Sequence, residues 1–157
     1  MYDILNPASA QRIYEECSAK LRTPAYNVKN ILRKMKVVTV CTTDDPTDDL
    51  GFHQQLKTDG FEIPILPAFR PDKAMEISEP EKFVAYTKKL EAVSNISIST
   101  FDDFLVALKS RHDFFAAIGC TVSDHGLEEM YAEDFTGNDI DAVFTKVYAG
   151  KALNHTE

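Results

Sequence analysis

Three short apolar runs, each ending in a polar and charged loop, constrain this 157-residue chain more than any other feature. KVVTVC (36–41) leads into Thr42-Thr43-Asp44-Asp45-Pro46. FEIPIL (61–66) leads into a loop from Pro67 to Lys73, and CTV (120–122) leads into Ser123-Asp124-His125-Gly126. Compact runs of this kind suit strands buried on both faces of a parallel sheet. Pro64 fits the middle run poorly, because it lacks the donor that a central strand needs. Helical patterns separate the runs. One spans about Asp48 to Lys57, and another is EKFVAYTKKLEAV (81–93), with Ser78 and Pro80 as start signals. FDDFLVALKSRHDFFAAI (101–118) has Ser99 or Thr100 as cap and Gly119 as stop, and NDIDAVFTKVYAG (138–150) ends at Gly150. Strands alternating with helices imply right-handed crossovers and a parallel sheet, open or barrel-like. Three strands are too few to close a barrel of eight.

Helices precede the first strand. Asn6-Pro7 reads as an N-cap and first-turn pair for QRIYEECSAKL, and Asn27 as the cap of VKNILRKM after the interruption at Thr23-Pro24. The expected organisation is a helical segment over 1–35 and an α/β segment over 36–157.

Charge and cysteine usage narrow the function. A formal net charge of -8 argues against general nucleic-acid affinity and against an anionic membrane surface, so an anionic ligand would need a local cationic pocket. Cys17, Cys41 and Cys120 are odd in number and widely spaced, which fits reduced thiols and a cytoplasmic setting. No apolar run approaches the roughly 18 residues of a membrane span, and the start lacks the pattern of an export signal.

In a parallel α/β fold the three polar loops share the side of the sheet where ligands bind. Asp44 and Asp45 could hold a hard cation, or one could cap the next helix while the threonines and Pro46 set a turn. Arg70 offers a planar fork to a carboxylate, or a salt bridge to Asp72 or a neighbouring acid. Asp124 and His125 could be a general base and its neighbour, or a polar contact to sugar hydroxyls and a structural residue. His53 and His112 read as packed or solvated, and His155 as part of a frayed end. None of the four histidines has the spacing of a metal site, so no metal is expected on this chain.

Taken together, VCTTDDPTDDLGFH, ILPAFRPDKA and RHDFFAAIGCTVSDHGL, in that order, resemble the uronate isomerase (glucuronate isomerase) family of the amidohydrolase superfamily. NPASAQRIYEECSAKLRTPAYNVKNILRKMKV is similar to the helical insertion that precedes the TTDDP strand in that family. The resemblance implies part of a distorted (β/α)8 TIM-type barrel and an aldose-ketose isomerisation of D-glucuronate to D-fructuronate, and of D-galacturonate to D-tagaturonate. It also implies a divalent metal, zinc being expected, in the full-length parent. Arg70 matches the active-site arginine of RPDKA and Asp124 the active-site aspartate of SDHGL, both expected to be catalytic and to bind substrate. His125, next to Asp124, is expected as a further substrate contact. The family's HxH motif, the histidine of its HxGA-like segment, its later substrate-binding arginines and its late aspartate ligand have no counterpart here. The expectation is therefore an internal fragment with no metal or other cofactor of its own, inactive alone, with unpaired sheet edges and a tendency to form homo-oligomers. Two other classes compete with this reading. One is a stand-alone module that binds a small anion or sugar acid without catalysis. The other is a receiver-like signalling domain, disfavoured because its third strand offers no phosphorylatable aspartate in the required order.

Overall fold

The computed structural model describes residues 4–127 and 133–154, so His155 lies outside the described residues. Its elements are α1 (Ala10–Leu21), a 3-10 turn (Pro24–Tyr26), α2 (Val28–Lys34), β1 (Val40–Asp44), α3 (Gly51–Thr58), β2 (Ile65–Phe69), α4 (Asp72–Met75), α5 (Pro80–Ser94), α6 (Phe101–Ile118) and α7 (Gly137–Tyr148). This is an α/β arrangement. Two compact units divide the chain, Met1–Val40 with Glu62–Pro64, and Cys41–Phe61 with Ile65–Glu157.

In the first unit, Asn27 caps α2 as expected, its side chain accepting from the Asn30 N–H at 2.8 Å. Asn6 does not cap α1 directly. Its Oδ1 accepts from the N–H groups of Ala8 (3.0 Å) and Ser9 (3.1 Å), closing a turn just ahead of the helix, and Ser9 takes the N-cap position. Arg33 forks onto Glu62, with Nη2 at 3.0 Å from Oε2, and this partner draws the Glu62 carboxyl down to about 2. The first strand starts later than KVVTVC suggests. Lys36 takes a left-handed conformation (φ 54°) and the Val37 N–H returns to the Leu32 carbonyl at 3.0 Å, so Lys36 and Val37 serve the exit from α2. Pairing begins where the Val40 N–H meets the Pro64 carbonyl at 3.0 Å.

In the second unit, β2 likewise starts after Pro64, as its missing donor requires. The Arg70 N–H donates to the Asp44 carbonyl at 3.0 Å; both strands advance together, so β1 and β2 are parallel. The third run is not a full strand. The Phe69 N–H donates to the Val122 carbonyl at 3.1 Å, and a single parallel bridge joins Phe69 to Ser123. Neighbouring residues of a strand face opposite partners, so Pro67, two before Phe69, would face Cys120 with an N–H it does not possess. The ladder therefore cannot extend back over Cys120 and Thr121.

The main core lies among α5, α6 and α7. Phe83, Phe104 and Phe144 meet with ring centroids 5.6 to 6.0 Å apart, next to fully buried Leu90 and Val147. Each such ring pair adds about 1 kcal/mol beyond the area it buries. Thr100 and Asp103 form a reciprocal capping box at the start of α6; Ser99 and Thr100 hydrogen bonds hold the Asp103 carboxyl down at about 2. Gly119 ends α6 with φ 118°, a backbone shape that a residue with a side chain rarely adopts. A smaller cluster of Leu50, Phe69 and Phe115 packs beneath the end of β2.

Candidate active-site rim

The parallel pairing puts the residues that follow β2 and the Ser123 bridge on one edge of the sheet. Arg70 leaves the end of β2, and its side chain crosses to Asp124, where Nη2 donates to Oδ2. The Phe69 carbonyl holds the other side of this junction, accepting from the Ser123 hydroxyl at 2.7 Å and from the Asp124 N–H at 3.4 Å. The hydrogen bond from Arg70 lowers the titration of the Asp124 carboxyl and raises that of the guanidinium. Asp124 is thus an ionised acceptor at neutral pH. Yet Arg70 Nε and Asp124 Oδ1 are both buried without a hydrogen-bond partner among the described residues. Buried polar atoms seldom remain unsatisfied, so the pair retains one donor and one acceptor for a further group.

Asp72 ties the same two loops together. Its Oδ2 accepts from the Gly126 N–H at 2.7 Å, its Oδ1 lies 3.1 Å from His125 Nδ1, and Arg70 Nε stands 3.9 Å away, too far for a hydrogen bond. The salt bridge weighed for Arg70 from sequence therefore runs mainly to Asp124 rather than to Asp72. Arg70, Asp124 and His125 do come together, and Asp72, weighed from sequence only as a salt-bridge partner of Arg70, joins them as the contact of His125 and Gly126. Its signal was its place two residues after Arg70 in the same loop.

Asp44 and Asp45 diverge, as neighbours on a strand do. Asp45 folds its own turn, with Oδ1 accepting from the Thr47 N–H (2.9 Å) and hydroxyl (2.7 Å), and neither aspartate caps α3. Asp44 instead accepts from the Thr42 hydroxyl at 2.6 Å, and His53 Nε2 lies 2.7 Å from the same hydroxyl. His53 is packed, one of the two readings given for it, and its Nδ1 is buried with no partner among the described residues. Asp44 and His53 border an open cleft of about 520 Å³ beside the first turn of α3. His112 is mostly exposed and sits against Asp113 and the edge of Phe69.

A divalent ion does not fit this donor set. Among the described residues no three of His, Cys, Asp and Glu converge. Asp124 is taken up by a guanidinium and Asp72 by Gly126 and His125, and no third such side chain joins Asp44 and His53 closely enough to complete a site among the described residues.

The sequence profile of the glucuronate isomerase family matches residues 1–157. The chain belongs to the glucuronate isomerase family. It is 52% identical over 154 residues to a uronate isomerase from Phocaeicola vulgatus and 53% identical over 154 residues to one from Bacteroides thetaiotaomicron, covering 98% of this chain in each case. It spans about a third (33%) of the length of those relatives. Its structure superposes on the crystal structure of the uronate isomerase from Thermotoga maritima with a TM-score of 0.86 and 35% identity, over 99% of this chain and 34% of that one. The glucuronate isomerase from Caulobacter crescentus gives a TM-score of 0.82 at 22% identity, over 94% of this chain and 31% of that one, which speaks to fold alone. No helix among the described residues is long and apolar enough to cross a membrane.

Proposed function

We propose that this chain supplies an arginine-aspartate pair to the active-site rim of a cytoplasmic uronate isomerase, one that interconverts D-glucuronate with D-fructuronate and D-galacturonate with D-tagaturonate. The family match over residues 1–157 supports the enzyme class. The observation that carries the site is the Arg70–Asp124 pair at a sheet edge, each partner keeping one buried polar atom unsatisfied. In this reading residues 36–157 form part of a (β/α)8 barrel, and residues 1–35 are a helical insertion ahead of it.

Arg70 receives the carboxylate of the hexuronate, because Nε and the remaining guanidinium donors match two carboxylate oxygens. Asp124 accepts a hydrogen bond from a sugar hydroxyl through Oδ1. While Arg70 holds it, Asp124 is a weak proton acceptor; a substrate carboxylate that draws the guanidinium away removes that restraint and makes it more basic. The geometry then couples sugar-acid binding to a stronger base at the same edge. A divalent metal, zinc in this reading, would be held by residues of the longer parent enzyme.

Titration calorimetry of the chain with D-glucuronate, using D-glucose as the uncharged control, tests the binding role. Glucuronate binding that disappears in Arg70→Met is expected, together with no isomerisation in the presence of added zinc. Turnover above background by the chain alone would overturn the claim that it is only part of an active site. The stand-alone binding module predicts the same calorimetry, but no feature of the structure favours it over the family reading.

A further inference from the structure

We infer that Asp72 is a positioning residue that fixes the tautomer of His125, presenting Nε2 as a hydrogen-bond acceptor for a substrate hydroxyl beside Arg70 and Asp124. An ionised carboxylate only accepts hydrogen bonds. At 3.1 Å from Asp72 Oδ1, His125 Nδ1 must therefore carry the proton. In the neutral ring this leaves the lone pair on Nε2, for which the described residues provide no partner. A side chain that binds in this way reads a donor hydroxyl and rejects a group with no proton to give.

The backbone is arranged to hold Asp72 in this task. Gly126 donates its N–H to Asp72 Oδ2 at 2.7 Å, and a Cβ at position 126 would come within 3.1 Å of that oxygen and 3.8 Å of Arg70 Nη1. Glycine thus allows the SDHG loop to lie directly against the carboxylate. Both oxygens of Asp72 are engaged by that loop, one by the main chain and one by the imidazole. The loop cannot shift without releasing His125. Asp72 also opens α4, where a carboxylate is favoured in the first turn.

The hydroxyl-reading role rests on the proposed function above, whereas the tautomer does not, and the experiment separates the two. Imidazole nitrogen shifts of the ¹⁵N-labelled chain are measured by NMR at a pH where His125 is neutral, with His125→Gln assigning its signals. The expected result is the Nδ1–H tautomer in the parent chain and a change toward Nε2–H, the form favoured by free imidazole, in Asp72→Ala. A purely structural role for Asp72 would leave that pattern unmoved. An Nε2–H signal in the parent chain overturns the inference without any variant having to fold, and so does an unchanged pattern in a folded Asp72→Ala. D-Glucuronate is then added to the parent chain. A shift at His125 Nε2 supports the acceptor role, and no shift at saturation overturns that role while the Asp72 tautomer lock stands on the first measurement.

Discussion

Two arginines in the same unit are held in opposite ways. Arg111 is buried and spends its guanidinium on the main chain, donating to the carbonyls of Pro46 (2.7 Å), Asp48 (2.8 Å) and Val93 (3.4 Å), with its plane over Phe114 at 4.1 Å. Arg70 is about a third exposed (35%), pairs with a carboxylate and keeps Nε unused. The first closes the Asp45–Leu50 loop against α5 and α6. The second keeps a donor that no acceptor among the described residues engages. An arginine spent on carbonyls has no appetite for an anion, and one paired to a single acid can exchange that acid for another.

The largest test is Arg111→Met. Losing three buried acceptors' partners should lower unfolding free energy by about 3 kcal/mol, read from the midpoint of urea denaturation. A fall of the same size in Arg70→Met would erase the distinction between the two arginines. Next, Thr100→Ala removes the cap of the helix that carries Arg111 and should cost about 1 kcal/mol. An unchanged midpoint would mean that α6 is anchored by its packing and by Arg111 alone.

Acid sharpens the contrast further. Asp124 titrates below its ordinary range because of Arg70, so whatever the pair contributes to stability is present above the unfolded-state carboxylate pKa of about 3.9. That contribution is lost as pH falls through the depressed folded-state value. Carbonyls do not titrate, so the Arg111→Met deficit should persist across this range, whereas any Arg70→Met deficit should vanish. The smallest effect on stability is expected for Arg70→Met at neutral pH, where exposed ion pairs count for little. Its signature is instead the Asp124 carboxyl, which should titrate closer to the ordinary range in ¹³C NMR. A carboxyl that does not move would show that Arg70 is not its restraint.

The sequence carried the larger helices and their punctuation well. Thr100, Asn27 and Gly119 act where their chemistry says they should, because caps and stops are decided within a few residues. Strand limits were harder to read. KVVTVC looks extended throughout, but the turn at Lys36 belongs to α2, and pairing is decided by contacts 24 residues away or more, at Pro64 and beyond. In the site, the sequence and its family resemblance singled out Arg70, Asp124 and His125. They could not show that Arg70 and Asp124 bind each other, 54 residues apart, or that Asp72 faces His125 instead of its near neighbour Arg70. Arg111 gave no sign of its role, since a helical arginine on an exposed face and one turned onto carbonyls are written alike.

Pro67 has a mechanical consequence. Because it withholds a rung from the ladder, the segment carrying Asp124 meets β2 only around Phe69 among the described residues, and its far end is held instead by Asp72 through Gly126 and His125. A fully zipped strand would have to break several rungs to move its end. Here the spacing of Arg70 and Asp124 depends on the tie from Asp72 to Gly126 and His125, and loosening that tie would leave the register of β1 and β2 intact.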